Sequence, residues 1–94
     1  MVTRIVKLHL ISAFVEEFKD IFKATKPHIL GFEGCIEVEL FQDETTPSLF
    51  FTISKWHSSK HLDAYRTSLF FTKTWAKIKP NFEEKAAAWS LINN

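Results

Sequence analysis

A single cysteine, Cys35, excludes an internal disulfide and supplies no thiolate pair for a metal. Glycine is just as scarce. Gly31 and Gly34 are the only two in 94 residues, and they flank one turn. With three prolines besides, the chain has no Gly- or Pro-rich linker, no repeat and no low-complexity run. A chain this long suits one domain and is too short for two, so a single domain over 1–94 is expected. Charge of one sign is also lacking. Lys and Arg number 12 against 11 Asp and Glu, and they are scattered from Arg4 to Lys85. A nucleic-acid binder would carry a basic stripe or cluster, so no nucleic-acid partner is expected. No run approaches the ~20 apolar residues of a membrane span. The opening MVTRIVKLHL is too short and too alternating for a signal peptide. The expectation is a cytoplasmic protein with no membrane partner.

Aromatic side chains are abundant by contrast. Ten Phe and three Trp exceed the needs of a small core, since each buries roughly 150–250 Å². Small domains bury only a modest share of their surface. The excess therefore points to a partner surface or a ligand pocket, against the plainer reading of an aromatic-rich core.

Alternation and helical spacing divide the chain into β-α-β-β-α-β, the split βαβ of a ferredoxin-like α+β domain with an antiparallel sheet. Val2 to Leu10 reads as a strand, with Val6, Leu8 and Leu10 on one face and Ile5, Lys7 and His9 on the other. Ser12 is the expected N-cap of a helix whose first turn holds Glu16 and Glu17. Its apolar stripe is Phe14, Phe18, Ile21, Phe22 and Ile29, and Pro27 should kink or stop it. Cys35 to Gln42 alternates, Asp43 to Ser48 is hairpin-loop chemistry, and Leu49 to Trp56 is a third strand. Ser58 or Ser59 caps a second helical region carrying Leu62, Tyr65, Leu69 and Phe70 on one side. A second helical piece with Trp75, Ile78 and Phe82 follows. Ala87 to Ile92 closes the chain as a strand.

Helices in this arrangement cover one sheet face. The other is read as Ile5, Lys7, His9, Glu37, Glu39, Phe50, Thr52, Ser54, Trp56 and Ser90. This mixture suits the wall of a cavity better than open surface or dry core, and two such sheets packed face to face would enclose it. Register decides the assignment, because a slip of one residue exchanges the faces of a strand.

Several short motifs occur in order. Glu33-Gly34-Cys35 precedes the second strand, Trp56-His57-Ser58 closes the third, His61-Leu62-Asp63-Ala64-Tyr65-Arg66 opens the second helical region, and Ser68-Leu69-Phe70 follows. In order and spacing this series resembles the antibiotic biosynthesis monooxygenase (ABM) family over nearly the whole chain. The resemblance implies a homodimeric α/β barrel with a hydrophobic cavity between each subunit's sheet and helices. It also implies oxidation of aromatic phenols or quinols by molecular oxygen, with no metal or flavin cofactor. Haem-degrading relatives pair an Asn on the first strand with a Trp ending the third and a His on the second helix. Trp56 matches the Trp. Val2 to Leu10 has no Asn, and Leu69 to Trp75 has no His to serve as an axial ligand, so haem degradation is not the expected activity. Where the family commonly has Glu after this Trp, the chain has His57.

Each candidate has a functional and a structural reading. Trp56 offers a flat wall and an N–H donor to a ligand, or plugs the helix–sheet core. His9, with an unperturbed pKa near ~6.5, suits removal of a phenolic proton, or is a surface histidine. Glu39, with Glu37, suits a base or relay if enclosed, or pairs with Lys7, Arg4 or Lys55. Phe50, Thr52, Tyr65 and Trp75 are the remaining expected pocket residues, and core filling explains them equally. His57 and His61 have i, i+4 spacing, but only Asp63 stands near to complete a ligand set, so no metal site is expected. Cys35 reads as a small buried apolar residue.

The expected function is a cofactor-independent monooxygenase on a small aromatic ligand, with His9 and Glu39 catalytic. The competing reading is a non-catalytic binding or assembly module of the same fold. A proton-transfer enzyme such as an isomerase stands between them.

Overall fold

A computed structural model describes residues 1–94. The strands are β1 (Val2–His9), β2 (Cys35–Gln42), β3 (Leu49–Trp56) and β4 (Ala87–Ile92). The helices are α1 (Val15–Leu30), α2 (Ser59–Arg66) and α3 (Leu69–Ile78). All neighbouring strands are antiparallel, in the order β2-β3-β1-β4. This is the expected ferredoxin-like α+β fold: β1-α1-β2 is a crossover, and β3 returns by a hairpin to lie between β1 and β2.

Local chemistry explains most of the element ends. The chain enters α1 through a 3₁₀ turn, Ser12–Phe14. Ser12 therefore lies in that turn and does not cap α1, whose N-cap is Phe14 with no side-chain hydrogen bond. Glu16 and Glu17 do occupy the first turn, where the helix dipole favours them. Pro27 falls in the last turn, and α1 ends three residues later, at Leu30. In the β2–β3 loop, Asp43 Oδ2 accepts from the backbone N–H groups of Thr46 and Thr45, at 2.8 and 3.1 Å. These bonds and that of the Thr45 hydroxyl lower the Asp43 pKa.

Two serines divide the second helical region. Ser58 caps α2, accepting from His61 N–H. Ser68 caps α3, accepting from Phe71 N–H while donating to the Tyr65 carbonyl at 2.6 Å. The break puts Leu69 on the outside, 68% exposed, instead of on the apolar side with Leu62 and Tyr65.

Register corrects the predicted faces. β1 pairs with β3 as Val2↔Trp56, Arg4↔Ser54, Val6↔Thr52 and Leu8↔Phe50. Residues directly opposite one another point to the same side. Phe50, Thr52, Ser54 and Trp56 thus join Val2, Val6 and Leu8 under the helices, not Ile5, Lys7 and His9. β4 pairs Ser90 with Arg4 and so places it under the helices too. In β2 a bulge between Cys35 and Glu37 shifts the alternation, so that Cys35 opposes Trp56 while Glu37 and Glu39 oppose Lys55 and Ile53.

The core forms two clusters on the helix-covered face. One gathers Leu8, Leu10, Phe14, Val15, Phe18, Phe50 and Ile78. The other gathers Val2, Ile29, Val38, Trp56 and Leu62, with Phe22, Phe32, Cys35, Tyr65 and Phe70 against it.

Candidate functional site

Between the two clusters the packing opens into a cavity of about 330 Å³, walled by α1, α2 and α3 above and the sheet below. Leu8, Phe18 and Ile78 reach it from one cluster, and Val38, Ile29 and Leu62 from the other. Space remains because the residues at the middle of the sheet floor are small or reach sideways. Val38, Ser54, Arg4 and Ser90 form one cross-strand row; Leu40, Thr52, Val6 and Ala88 form the next. A Phe or Leu at 52, 54 or 88 would fill the volume.

Aromatic rings build the α2–α3 wall. Tyr65 stacks on Trp56 with ring centroids 5.1 Å apart and meets Phe71 edge-on at 5.1 Å. Phe71 lies parallel to Trp75 at 5.9 Å, and Trp75 meets Phe82 edge-on at 5.4 Å. Tyr65, Phe71 and Trp75 line the cavity. Burial among these rings, with a smaller contribution from Cys35, pushes the Tyr65 pKa up to about 12. The phenol stays neutral well above physiological pH, and its O–H is free to donate.

Of the residues expected to form the site, Thr52, Tyr65 and Trp75 line this cavity. Trp56 and Phe50 lie behind its wall, 0% and 1% exposed. Trp56 Nε1–H donates to Ser54 Oγ at 3.0 Å, so the indole donor is spent on a side chain that itself faces the cavity. Trp56 thus supports the site from behind, positioning Ser54 and Tyr65.

His9 and Glu39 are on the opposite side of the sheet. His9 lies 3.5 Å from Glu84, and Glu39 pairs with Lys26 at 3.2 Å. The expectation that they share a cavity wall with Trp56 is corrected, because the β1–β3 register separates His9 from it and the β2–β3 register separates Glu39. The ion-pair alternative for Glu37 also has its partner, Lys55 at 3.4 Å.

Arg4 and Arg66 are the residues that sequence reasoning passed over as site groups. They are the only charged side chains in the lining, in which 15 of 21 residues are hydrophobic. Arg4 Nη1 donates to Ser90 Oγ at 2.9 Å, and Arg66 approaches Asp63 at 3.9 Å. Partial burial and the nearby Arg66 lower the Arg4 pKa, and Asp63 offsets part of this. A signal was visible: Arg4 interrupts the apolar face that Val2, Val6 and Leu8 otherwise define.

No three His, Cys, Asp or Glu side chains converge in a metal-binding arrangement. The rings of His57 and His61 stand 6.4 Å apart. His61 Nδ1 is instead 2.7 Å from Ser58 Oγ, and its ring covers Gly34. Gly34 has a φ of 85°, and a Cβ there would overlap the His61 ring. Its carbonyl accepts from His57 N–H at 2.8 Å. The Glu33-Gly34-Cys35 and Trp56-His57-Ser58 motifs are therefore one packed unit closing the end of the cavity behind Trp56. No helix is long and apolar enough to cross a membrane.

Solved structures share this architecture. A crystal structure of an antibiotic biosynthesis monooxygenase superposes with a TM-score of 0.93 at 16% identity, covering 100% of this chain and 99% of its own. A conserved protein of Methanosarcina mazei Go1 gives 0.92 at 20% identity over 100% and 94%. A conserved protein of unknown function from Bacteroides thetaiotaomicron VPI-5482 gives 0.82 at 20% identity over 96% of each chain. At these identities the likeness shows the fold. No curated protein matches the chain by sequence. The profile described as antibiotic biosynthesis monooxygenase matches residues 1–77, from β1 to the penultimate residue of α3 and including most of the cavity wall, and the chain belongs to that family.

Proposed function

We propose that the chain is a cofactor-independent monooxygenase that acts on a small aromatic phenol or quinol held between sheet and helices. The carrying observation is the aromatic-walled cavity whose mostly apolar lining carries a few polar groups, among them Tyr65, Ser54, Thr52 and Arg4. Its volume, about 330 Å³, lies at the lower end of the roughly 300–1,000 Å³ of ligand pockets and suits two or three fused rings. The protein's part is orientation and exclusion of water; the ligand supplies the electrons. For a ring CH₂ that is the keto form of a ring hydroxyl, loss of that hydroxyl proton to water gives an enolate whose negative charge is shared with the ring carbon. Carbon–oxygen bond formation with O₂ and protonation give a hydroperoxide. Loss of water then leaves a ketone, with one oxygen atom in the product and one in water.

In this reading the protein is a cytosolic homodimer. The open sheet face carries Ile5, Phe51, Ile53, Phe41, Trp89 and Leu91, of which the last three are 51%, 46% and 46% exposed. A second copy packed sheet to sheet would cover them. His9 and Glu39 then belong to the subunit interface.

One observation favours the non-catalytic alternative: no Asp, Glu, His or Lys lines the cavity. Oxygen uptake decides. With anthrone and naphthohydroquinone substrates and chelated protein, uptake above the spontaneous rate is expected. It should fall severalfold or more in Tyr65→Phe and Trp75→Leu and persist in His9→Ala and Glu39→Gln. Tight ligand binding with no uptake across the panel would select the binding module. Turnover unchanged under anaerobic conditions would select a proton-transfer enzyme.

A further inference from the structure

The charges that line the cavity are one-sided. Arg4 comes up from the sheet floor and Arg66 from the end of α2, and no carboxylate joins them in the lining. Asp63 approaches Arg66 from outside the lining at 3.9 Å, a long contact on a side chain that is largely solvated. One carboxylate against two guanidiniums leaves this end of an apolar chamber with an uncompensated positive charge. Arg4 is held in place by its bond to Ser90, two strands from Ser54, with which it is in direct register. Five N–H donors on a planar fork make a guanidinium the natural partner of an anionic oxygen on a flat group. Both guanidiniums keep partial contact with solvent at this end of the cavity, and a hydrogen bond from a charged donor to an anionic oxygen is still stronger than one between neutral groups.

We infer that the cavity takes its aromatic ligand as an anion, with the anionic oxygen held by Arg4 and Arg66 and the rings against Tyr65, Phe71 and Trp75. The inference rests on the proposed aromatic-ligand reading and names the charge state that this site selects. For a ligand with an acidic ring hydroxyl it also accounts for the missing base. With no carboxylate, histidine or lysine in the lining, and with Tyr65 neutral, the ring hydroxyl enters already ionised. The two arginines stabilise that form, and no side chain needs to accept the proton. Two kinds of ligand share this chemistry, the enolate or phenolate of an acidic ring hydroxyl and a ring carboxylate.

Binding of matched probes tests it, followed by quenching of tryptophan fluorescence and by calorimetry. The anions are 2-hydroxy-1,4-naphthoquinone, ionised at neutral pH, and 2-naphthoate; their neutral partners are 2-methoxy-1,4-naphthoquinone and methyl 2-naphthoate. At least one anion should bind about tenfold or more tighter than its neutral partner, the size expected for hydrogen bonds to a charged group. Which pair shows the preference tells the hydroxyl class from the carboxylate class. Arg4→Gln and Arg66→Gln should each reduce the preference severalfold, weakening the anion more than its neutral partner. Far-ultraviolet circular dichroism confirms that each variant is folded. Equal affinity for anion and neutral partner, or a preference untouched by both substitutions, would overturn the inference. If Thr74→Phe, which fills the cavity, still abolished binding, the aromatic site itself would stand. Failure of all four probes to bind would overturn both.

Discussion

The two faces of the sheet differ by one residue along each strand and by everything in their surroundings. On β3, Phe50, Thr52, Ser54 and Trp56 point to the helices, while Leu49, Phe51 and Ile53 point away. Both sets are rich in apolar atoms. On the covered face the rings are buried, Trp56 completely, and its one polar atom is matched to Ser54. On the open face Phe41, Trp89 and Leu91 are about half exposed, with the Glu37–Lys55 ion pair among them. Large rings alone therefore do not mark a site. A pocket arises where small residues interrupt a covered apolar face, whereas large residues left uncovered make an exposed apolar surface, here the proposed interface.

Truncating each face should separate them most strongly. Trp56→Ala and Phe50→Ala should each lose about 3–5 kcal/mol of unfolding free energy in denaturant titrations. Phe51→Ala should cost under about 1 kcal/mol in a monomer, whereas in a sheet-to-sheet dimer its cost should be larger and should depend on protein concentration. A concentration-independent and small effect would remove the interface reading.

Alkaline titration tests the covered face by another route. Tyr65 has its pKa pushed up to about 12, chiefly by burial. Its folded pKa lies above the unfolded value, so the contribution is fully present below pH ~10 and is lost as pH rises toward ~12. The loss is on the order of 2–3 kcal/mol. Stability of Tyr65→Phe should therefore fall less steeply across that window. Parallel curves would mean that the phenol is not buried as described.

Gly34→Ala probes the packed unit behind Trp56, with a cost of about 1–3 kcal/mol from the left-handed backbone and the overlap with His61. Adding His61→Ala should recover the overlap part; strictly additive costs in the double variant would contradict the close approach. The smallest effect belongs to the open face. Lys55→Gln breaks an exposed pair with Glu37 and should change stability by less than about 1 kcal/mol. A larger loss would show that this pair is covered.

Much of this was readable from the residues. Period-two alternation located all four strands, Gly34 marked the turn before β2, and Ser58 and the stripe from Phe14 to Ile29 placed the helices. Which face each strand shares with its neighbour was not readable, because alternation gives two faces per strand and only pairing joins them. His9 and Trp56 were grouped for that reason, although β1–β3 pairing puts them on opposite sides. The bulge near Ile36 adds a second change of parity, and it moves Cys35 to the covered face with Trp56. Tyr65 and Trp75 were legible as apolar-side residues of the second helical region. Arg4 and Arg66 were visible only as scattered charges until the fold brought them to one cavity.

The central claim is that the ligand site lies under the helices and not on the open sheet face. The most direct measurement compares ligand affinity and sedimentation in two variants, Thr74→Phe in the cavity wall and Phe51→Ser on the open face. Thr74→Phe should abolish binding of the naphthoquinone probes and leave the sedimentation coefficient unchanged. Phe51→Ser should weaken self-association and keep probe affinity within a few-fold. Full binding by Thr74→Phe together with loss of binding by Phe51→Ser would contradict the account.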